Sequence, residues 1–118
     1  MKMAGQKRGI VKTDIKVMNQ KNKEGKKEGY WEGVFSNGNI SSKGNYINNM
    51  EDGYWEDYHS NGNLYSKGNF IKGKRDGFWE YYYINGNLSS KGNYIKGKRD
   101  GCWVENYRPS PHQLYLNI

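Results

Sequence analysis

Few side chains in this sequence could carry covalent or proton-transfer chemistry. Histidine occurs twice, at His59 and His112, and cysteine once, at Cys102. A general base or a metal centre needs several such groups held together, so a structural or surface role is the plainer reading of both histidines. Carboxylates do recur, Asp76 with Asp100 and Glu56 with Glu80, each pair 24 residues apart. Paired carboxylates can perform acid/base hydrolysis, but here each has a simpler explanation, a turn for the aspartates and a neighbouring lysine for the glutamates. The glycine-rich turns lead into no helical pattern and so do not read as phosphate loops. Cys102 has no partner for an internal disulfide, which fits a reducing, cytoplasmic compartment. It also occupies the slot held elsewhere by Tyr30, Tyr54 and Phe78, which reads as packing. The expectation is a non-enzyme with no catalytic residue, metal or cofactor.

What must position these residues is a repeat. The segment GYWEDYHSNGNLYSKGNFIKGKRD beginning at Gly53 is followed by GFWEYYYINGNLSSKGNYIKGKRD, and sliding by 24 residues recovers Gly29-Tyr30-Trp31 and Gly101-Cys102-Trp103. Asn37-Gly38, Asn61-Gly62 and Asn85-Gly86 fall in the same register. A fixed period in this range marks a repeat architecture.

Each copy contains an aromatic run, an Asn-Gly dipeptide and a second run such as Leu64 to Ile71, which is a hairpin signal. A two-residue type I′ loop at Asn61-Gly62 sets Trp55 opposite Gly68, Glu56 opposite Lys67, Asp57 opposite Ser66 and His59 opposite Leu64. The same rule sets Trp31 against Gly44 and Trp79 against Gly92, with Glu32 meeting Lys43 and Glu80 meeting Lys91. One face then carries the tryptophans, Phe35, His59, Tyr83, Ile40, Leu64 and Leu88; the other carries Tyr30, Tyr54, Phe78, Val34, Tyr58, Tyr82 and the Glu/Lys pairs. The Ile-Lys-Gly-Lys-Arg-Asp-Gly segments at 71–77 and 95–101 read as return turns. The predicted fold is all-β, an elongated antiparallel meander of tandem 24-residue hairpins with seven or eight strands and almost no helix.

The run from Phe70 to Gly86, Phe-Ile-Lys-Gly-Lys-Arg-Asp-Gly-Phe-Trp-Glu-Tyr-Tyr-Tyr-Ile-Asn-Gly, resembles the MORN repeat. The inserted Asn-Leu-Ser-Ser-Lys-Gly-Asn-Tyr at 87–94 departs from tandem MORN spacing and is similar to the MORN-variant repeats of bacterial antitoxin-like proteins. The resemblance covers about residues 29–107, two thirds of the chain. It implies an elongated antiparallel sheet used as a scaffold or interaction module, and a partner that is held or neutralised. It implies no catalytic residue.

Composition agrees with a thin, ring-built sheet. Of 118 residues 34% are hydrophobic and 15% aromatic, and the mean hydropathy is -1.14, too polar for a thick core. No apolar run approaches a membrane span, and Met1 to Lys7 lacks the apolar centre of a signal peptide. Residues 1–27 hold nine Lys or Arg against two acidic residues, which is the whole net charge of +7, while the remainder balances. The chain thus divides into a basic arm and first strand at 1–28, with Ile10 to Met18 alternating as a strand that pairs with the one starting at Tyr30; hairpin repeats at 29–108; and a capping tail at 109–118, where Leu114, Leu116 and Ile118 alternate as a closing strand.

Two binding readings follow. In one, Tyr54, Tyr58, Tyr65, Phe78 and Tyr82 form an aromatic face that docks and blocks a protein, such as an enzyme or toxin of a bacterial host. The abundance of Lys, Asn, Ile and Tyr suits an AT-rich bacterial or phage genome. In the other, Lys2, Lys7, Arg8, Lys12, Lys72, Lys74, Arg75, Lys96, Lys98 and Arg99 bind nucleic acid or an anionic membrane surface. The balanced Glu/Lys pairs within each strand favour the protein partner.

Overall fold

The computed structural model describes residues 17–106. His112, Lys2, Lys7, Arg8, Lys12, most of the expected strand at 10–18 and the expected closing strand in 109–118 lie outside the described residues. Eight strands form one open antiparallel sheet in chain order: β1 (Gln20–Lys21), β2 (Lys27–Val34), β3 (Ile40–Ile47), β4 (Met50–Tyr58), β5 (Leu64–Ile71), β6 (Lys74–Tyr82), β7 (Leu88–Ile95) and β8 (Lys98–Val104). The meander is therefore as expected, and no helix of the described residues is long and apolar enough to cross a membrane. Val17 and Met18 stand outside any strand; β2 is met instead by the short β1, through Gln20↔Glu28 and Lys21↔Lys27.

The central register is also as expected. Trp31↔Gly44, Trp55↔Gly68 and Trp79↔Gly92 are backbone partners, as are Glu32↔Lys43, Glu56↔Lys67 and Glu80↔Lys91. The turns, however, exchange types. At the Asn-Gly loops only glycine takes positive φ, 95° at Gly62, and Asn61 does not. His59 N–H donates to the Asn63 carbonyl at 2.8 Å and Gly62 N–H to the His59 carbonyl at 3.0 Å. This is a three-residue loop closed by a left-handed glycine. The two-residue I′ turns are the return turns, where Lys72 and Gly73 have φ of 50° and 80°, and Asn48 and Asn49 have 49° and 69°.

The extra loop residue makes Tyr58, not His59, the partner of Leu64, and a bulge at Tyr65 then restores Asp57↔Ser66. Two slips cancel. Leu64 accordingly joins Tyr58 on the face away from the tryptophans, contrary to the sequence expectation. The loop wins because in all three copies its asparagine side chain accepts from the N–H two residues on, Asn37 from Asn39, Asn61 from Asn63 and Asn85 from Asn87. Asn61 Oδ1 accepts from Asn63 N–H at 3.0 Å, and the side-chain amides of Asn61 and Asn63 donate to the Ile84 carbonyl of the next loop at 3.1 and 2.8 Å. Asn37 and Asn39 grip the Ser60 carbonyl in the same way.

A second bulge, in the other hairpins, decides where the indoles go. Between Lys43↔Glu56 and Asn45↔Asp52, three residues of β4 (Gly53, Tyr54, Trp55) stand against Gly44 alone. Gly53 adopts φ +80° there, and nothing lies within 4 Å of where its Cβ would be, so it is required for conformation. The swing carries the Trp55 ring onto Gly44 of the preceding strand, not onto its backbone partner Gly68 as the register alone suggests. A Cβ on Gly44 would lie 2.2 Å from the indole; Gly68 meets Trp79, and Gly92 meets Trp103, at 2.2 and 2.3 Å. The indole N–H groups of Trp55, Trp79 and Trp103 donate to the carbonyls of Asn45, Asn69 and Asn93 at 2.9, 3.0 and 3.0 Å, where the backbone ladder is interrupted.

The core is the spine these rings build on one side of the sheet. Trp31, Tyr46, Trp55, Phe70, Trp79, Tyr94 and Trp103 follow one another edge to face at centroid distances of 4.9 to 6.2 Å, the geometry aromatic quadrupoles prefer. Trp79 is only 1% exposed. Cations roof the spine: Lys27 stands 4.9 Å over both Trp31 and Tyr46, Arg75 over Phe70, Trp79 and Tyr94 at 5.3 to 5.8 Å, and Arg99 at 4.1 Å over Trp103.

The two glycine classes respond differently to substitution. Gly68→Asn puts a side chain into the Trp79 ring and costs ~3 kcal/mol or more, comparable to Trp79→Ala. Gly77→Asn costs ~1 kcal/mol or less, since asparagine tolerates the left-handed region. Urea melts of the two variants measure the difference; equal losses contradict the assignment.

Candidate functional site

The face opposite the spine is built from alternate residues of every strand. Along β4 it presents Met50, Asp52, Tyr54, Glu56 and Tyr58; along β6, Lys74, Asp76, Phe78, Glu80 and Tyr82; along β5, Leu64, Lys67, Asn69 and Ile71. Of the five expected aromatic residues, four share it: Tyr54, Tyr58, Phe78 and Tyr82. Tyr65 does not. The bulge turns its ring to the spine side, where it meets His59 at 5.1 Å and Tyr81 at 6.0 Å edge to face. The sequence signal that was missed is the loop length, which sets the parity of everything between loop and bulge.

Glutamates organise the polar centre of this face. Glu56 accepts from the Tyr54 phenol at 2.8 Å and also from Tyr58, while Lys43 lies 3.6 Å away. One repeat on, Tyr82 donates to Glu80 at 2.8 Å and Lys67 lies 3.4 Å from it. One repeat back, Tyr30 donates to Glu32 at 2.7 Å. The ion pairs therefore cross the return hairpins and bind one repeat to the next. Burial, then the hydrogen bond to Glu80, pushes the Tyr82 phenol up to about 12; burial and Glu32 do the same for Tyr30, up to about 12. Tyr54 and Tyr58 are raised by burial and by Glu56. Burial works to raise the Glu56 carboxyl, but the Tyr58 and Tyr54 hydrogen bonds and Lys43 outweigh it and hold the group below its ordinary value.

Apolar side chains flank that centre uncovered. Tyr54 and Phe78 are 50% and 51% exposed, and Ile47, Ile71 and Ile95 form a parallel row at the return-turn edge at 48%, 54% and 53%. The isoleucines were not among the expected site residues; their position opposite Tyr46, Phe70 and Tyr94 along their strands was the signal. Successive rings of the aromatic row enclose two shallow notches. One, of about 240 Å³, lies between Tyr30 and Tyr54 with Lys43, Gly44, Asn45 and Glu56; the other, of about 260 Å³, lies between Tyr54 and Phe78 with Lys67, Gly68, Asn69 and Glu80. The row ends at Cys102, which is exposed, against the expectation of a packing residue.

The expected cationic set is split. Arg75 and Arg99 serve the spine roof on the far side. Lys72, Lys74 and Lys96 instead border a hollow of about 310 Å³ with Ile71 and Asp76 at the return-turn edge. Of the two residues first considered for acid/base work, His59 is fixed by its Nε2, which donates to the Tyr82 carbonyl at 3.0 Å. Among the described residues no cluster of His, Cys, Asp and Glu could hold a metal ion. Compared with protein-family models and with curated proteins, the chain matches none.

Adjacent carboxylates titrate in opposite senses. Asp57 lies on the spine side, where burial raises it against the opposing pull of Ser66, whose hydroxyl donates at 3.4 Å, and of Arg75. A raised folded value means ionisation opposes folding: Asp57 costs nothing below the unfolded value of ~3.9 and its full penalty above the folded one. Glu56, depressed, stabilises above ~4.3 and loses that contribution as pH falls through its folded value. Melting temperatures at pH 3 and pH 7 should therefore show Asp57→Asn gaining and Glu56→Gln losing at pH 7, each by ~1 kcal/mol or less, with both differences smaller at pH 3.

Proposed function

We propose that this chain is a non-catalytic, MORN-variant-like module that binds a protein and blocks it, in the manner of an inhibitor or antitoxin acting on an enzyme or toxin in a bacterial or phage-infected cytoplasm. The observation that carries this reading is the double apolar row of Tyr54 and Phe78 with Ile47, Ile71 and Ile95, left open on one face of a sheet whose other face already holds the core. Rows of exposed large apolar side chains around a polar centre are the usual mark of an interaction surface. The Tyr-Glu-Lys networks support it, because they preset the phenols and leave little side-chain entropy to be lost on binding. Polyanion binding has less support from the repeat body, since Arg75 and Arg99 are engaged with rings.

The double substitution Tyr54→Ser with Phe78→Ser removes half-exposed rings and should leave the fold intact by circular dichroism. A protein retained from native lysate by the wild-type chain should be lost with this variant, by about tenfold or more, and kept with Tyr65→Ser, which alters the opposite side. Undiminished retention by the folded double variant overturns the reading.

A further inference from the structure

The two notches repeat at the interval of two strands, about 9.4 to 9.8 Å. A partner segment lying across the strands must present a side chain to the same face at that interval. An extended strand does so every ~6.7 Å and an α-helix every turn, ~5.4 Å, or every second turn, ~10.8 Å. A polyproline II helix turns once per three residues, or about 9.3 Å, which matches most closely. Its backbone has no internal hydrogen bonds and needs donors. The Asn45 and Asn69 side chains line the two notches, and neither makes a hydrogen bond among the described residues. Aromatic-walled slots that accept every third residue are how proline-rich segments are bound in general.

Charge then specifies the flanks. Each notch carries one lysine and one glutamate, Lys43 with Glu56 and Lys67 with Glu80, so it suits an uncharged ring. Asn69 of the second notch and Ile71 of the return-turn hollow are alternate residues of one strand, so the hollow adjoins the notch. That hollow is bordered by three lysines, Lys72, Lys74 and Lys96, and by one acidic residue, Asp76, and so suits an acid. We propose that this face binds an acidic proline-rich segment in the polyproline II conformation, with prolines at every third position seated between Tyr30, Tyr54 and Phe78 and a carboxylate among Lys72, Lys74 and Lys96. The proposal rests on the protein-binding reading and names the partner's chemistry.

The probe is a fluorescent peptide of four Pro-Glu-Ala triplets, titrated with the full chain by anisotropy beside a Pro-Lys-Ala peptide and a Pro-Glu-Ala-Ala peptide of equal length. The triplet acidic peptide should bind about tenfold more tightly than either control, and Tyr54→Ala or Lys72→Glu with Lys96→Glu should each weaken it about fivefold or more while the circular dichroism spectrum is unchanged. Equal binding of the four-residue-period or the basic peptide overturns the proposal, as does the absence of saturable binding by all three. If no peptide binds but Tyr54→Ser with Phe78→Ser still abolishes protein retention, the polyproline assignment falls and the protein-binding reading stands. If a single-stranded oligonucleotide binds in a manner lost with Tyr54→Ala, both fall.

Discussion

The interaction on which the sheet depends is the flat contact between each indole and a glycine of the preceding strand. A single open sheet has no second layer against which to bury side chains, and a chain this polar has too few apolar residues to build one. Laying tryptophan on its own sheet removes a large ring from water without that layer. The arrangement requires three things at once: a bulge to swing the ring across, a glycine with no Cβ beneath it, and a carbonyl to accept the indole N–H. Gly53, Gly44 and Asn45 supply them for Trp55, and the 24-residue period supplies them again for Trp79 and Trp103.

Other features follow from that contact. With tryptophans spaced one repeat apart, Tyr46, Phe70 and Tyr94 fill the intervals edge-on, and the spine becomes continuous. Its outer surface is closed by Lys27, Arg75 and Arg99, whose charges would otherwise be free for ligands. The opposite face is thereby released from any part in the core. Its order comes from glutamates that collect phenols of their own strand and lysines of the adjacent one, a network that holds the rings without covering them.

Much of this was legible in the sequence, and the failures have a common origin. The period, an antiparallel meander of seven or eight strands and the pairing of Trp55 with Gly68 or Glu56 with Lys67 follow from the Asn-Gly dipeptides and the spacing alone, whereas the short β1 at Gln20–Lys21 does not. The loop type does not, because Asn-Gly serves both a two-residue turn and a three-residue loop, and here the asparagine side chain that accepts from the N–H two residues on decides for the latter. That single residue reassigned Leu64, and the bulge that compensates for it moved Tyr65 to the spine. Nor does strand pairing reveal that a ring leans away from its partner: Gly68 is opposite Trp55 yet lies beneath Trp79. The isoleucine row was legible in principle, since Ile47, Ile71 and Ile95 follow Tyr46, Phe70 and Tyr94 on strands whose side chains alternate between faces.

The indole-on-glycine contact is tested most directly by proton NMR of the full chain. The account predicts nuclear Overhauser contacts from the Trp55 ring to the Gly44 α-protons and from Trp79 to Gly68, with those α-protons shifted upfield by the rings and the indole N–H protons of both tryptophans slow to exchange. Contacts from Trp55 to the α-protons of Gly68 instead, with rapidly exchanging indole protons, would contradict it.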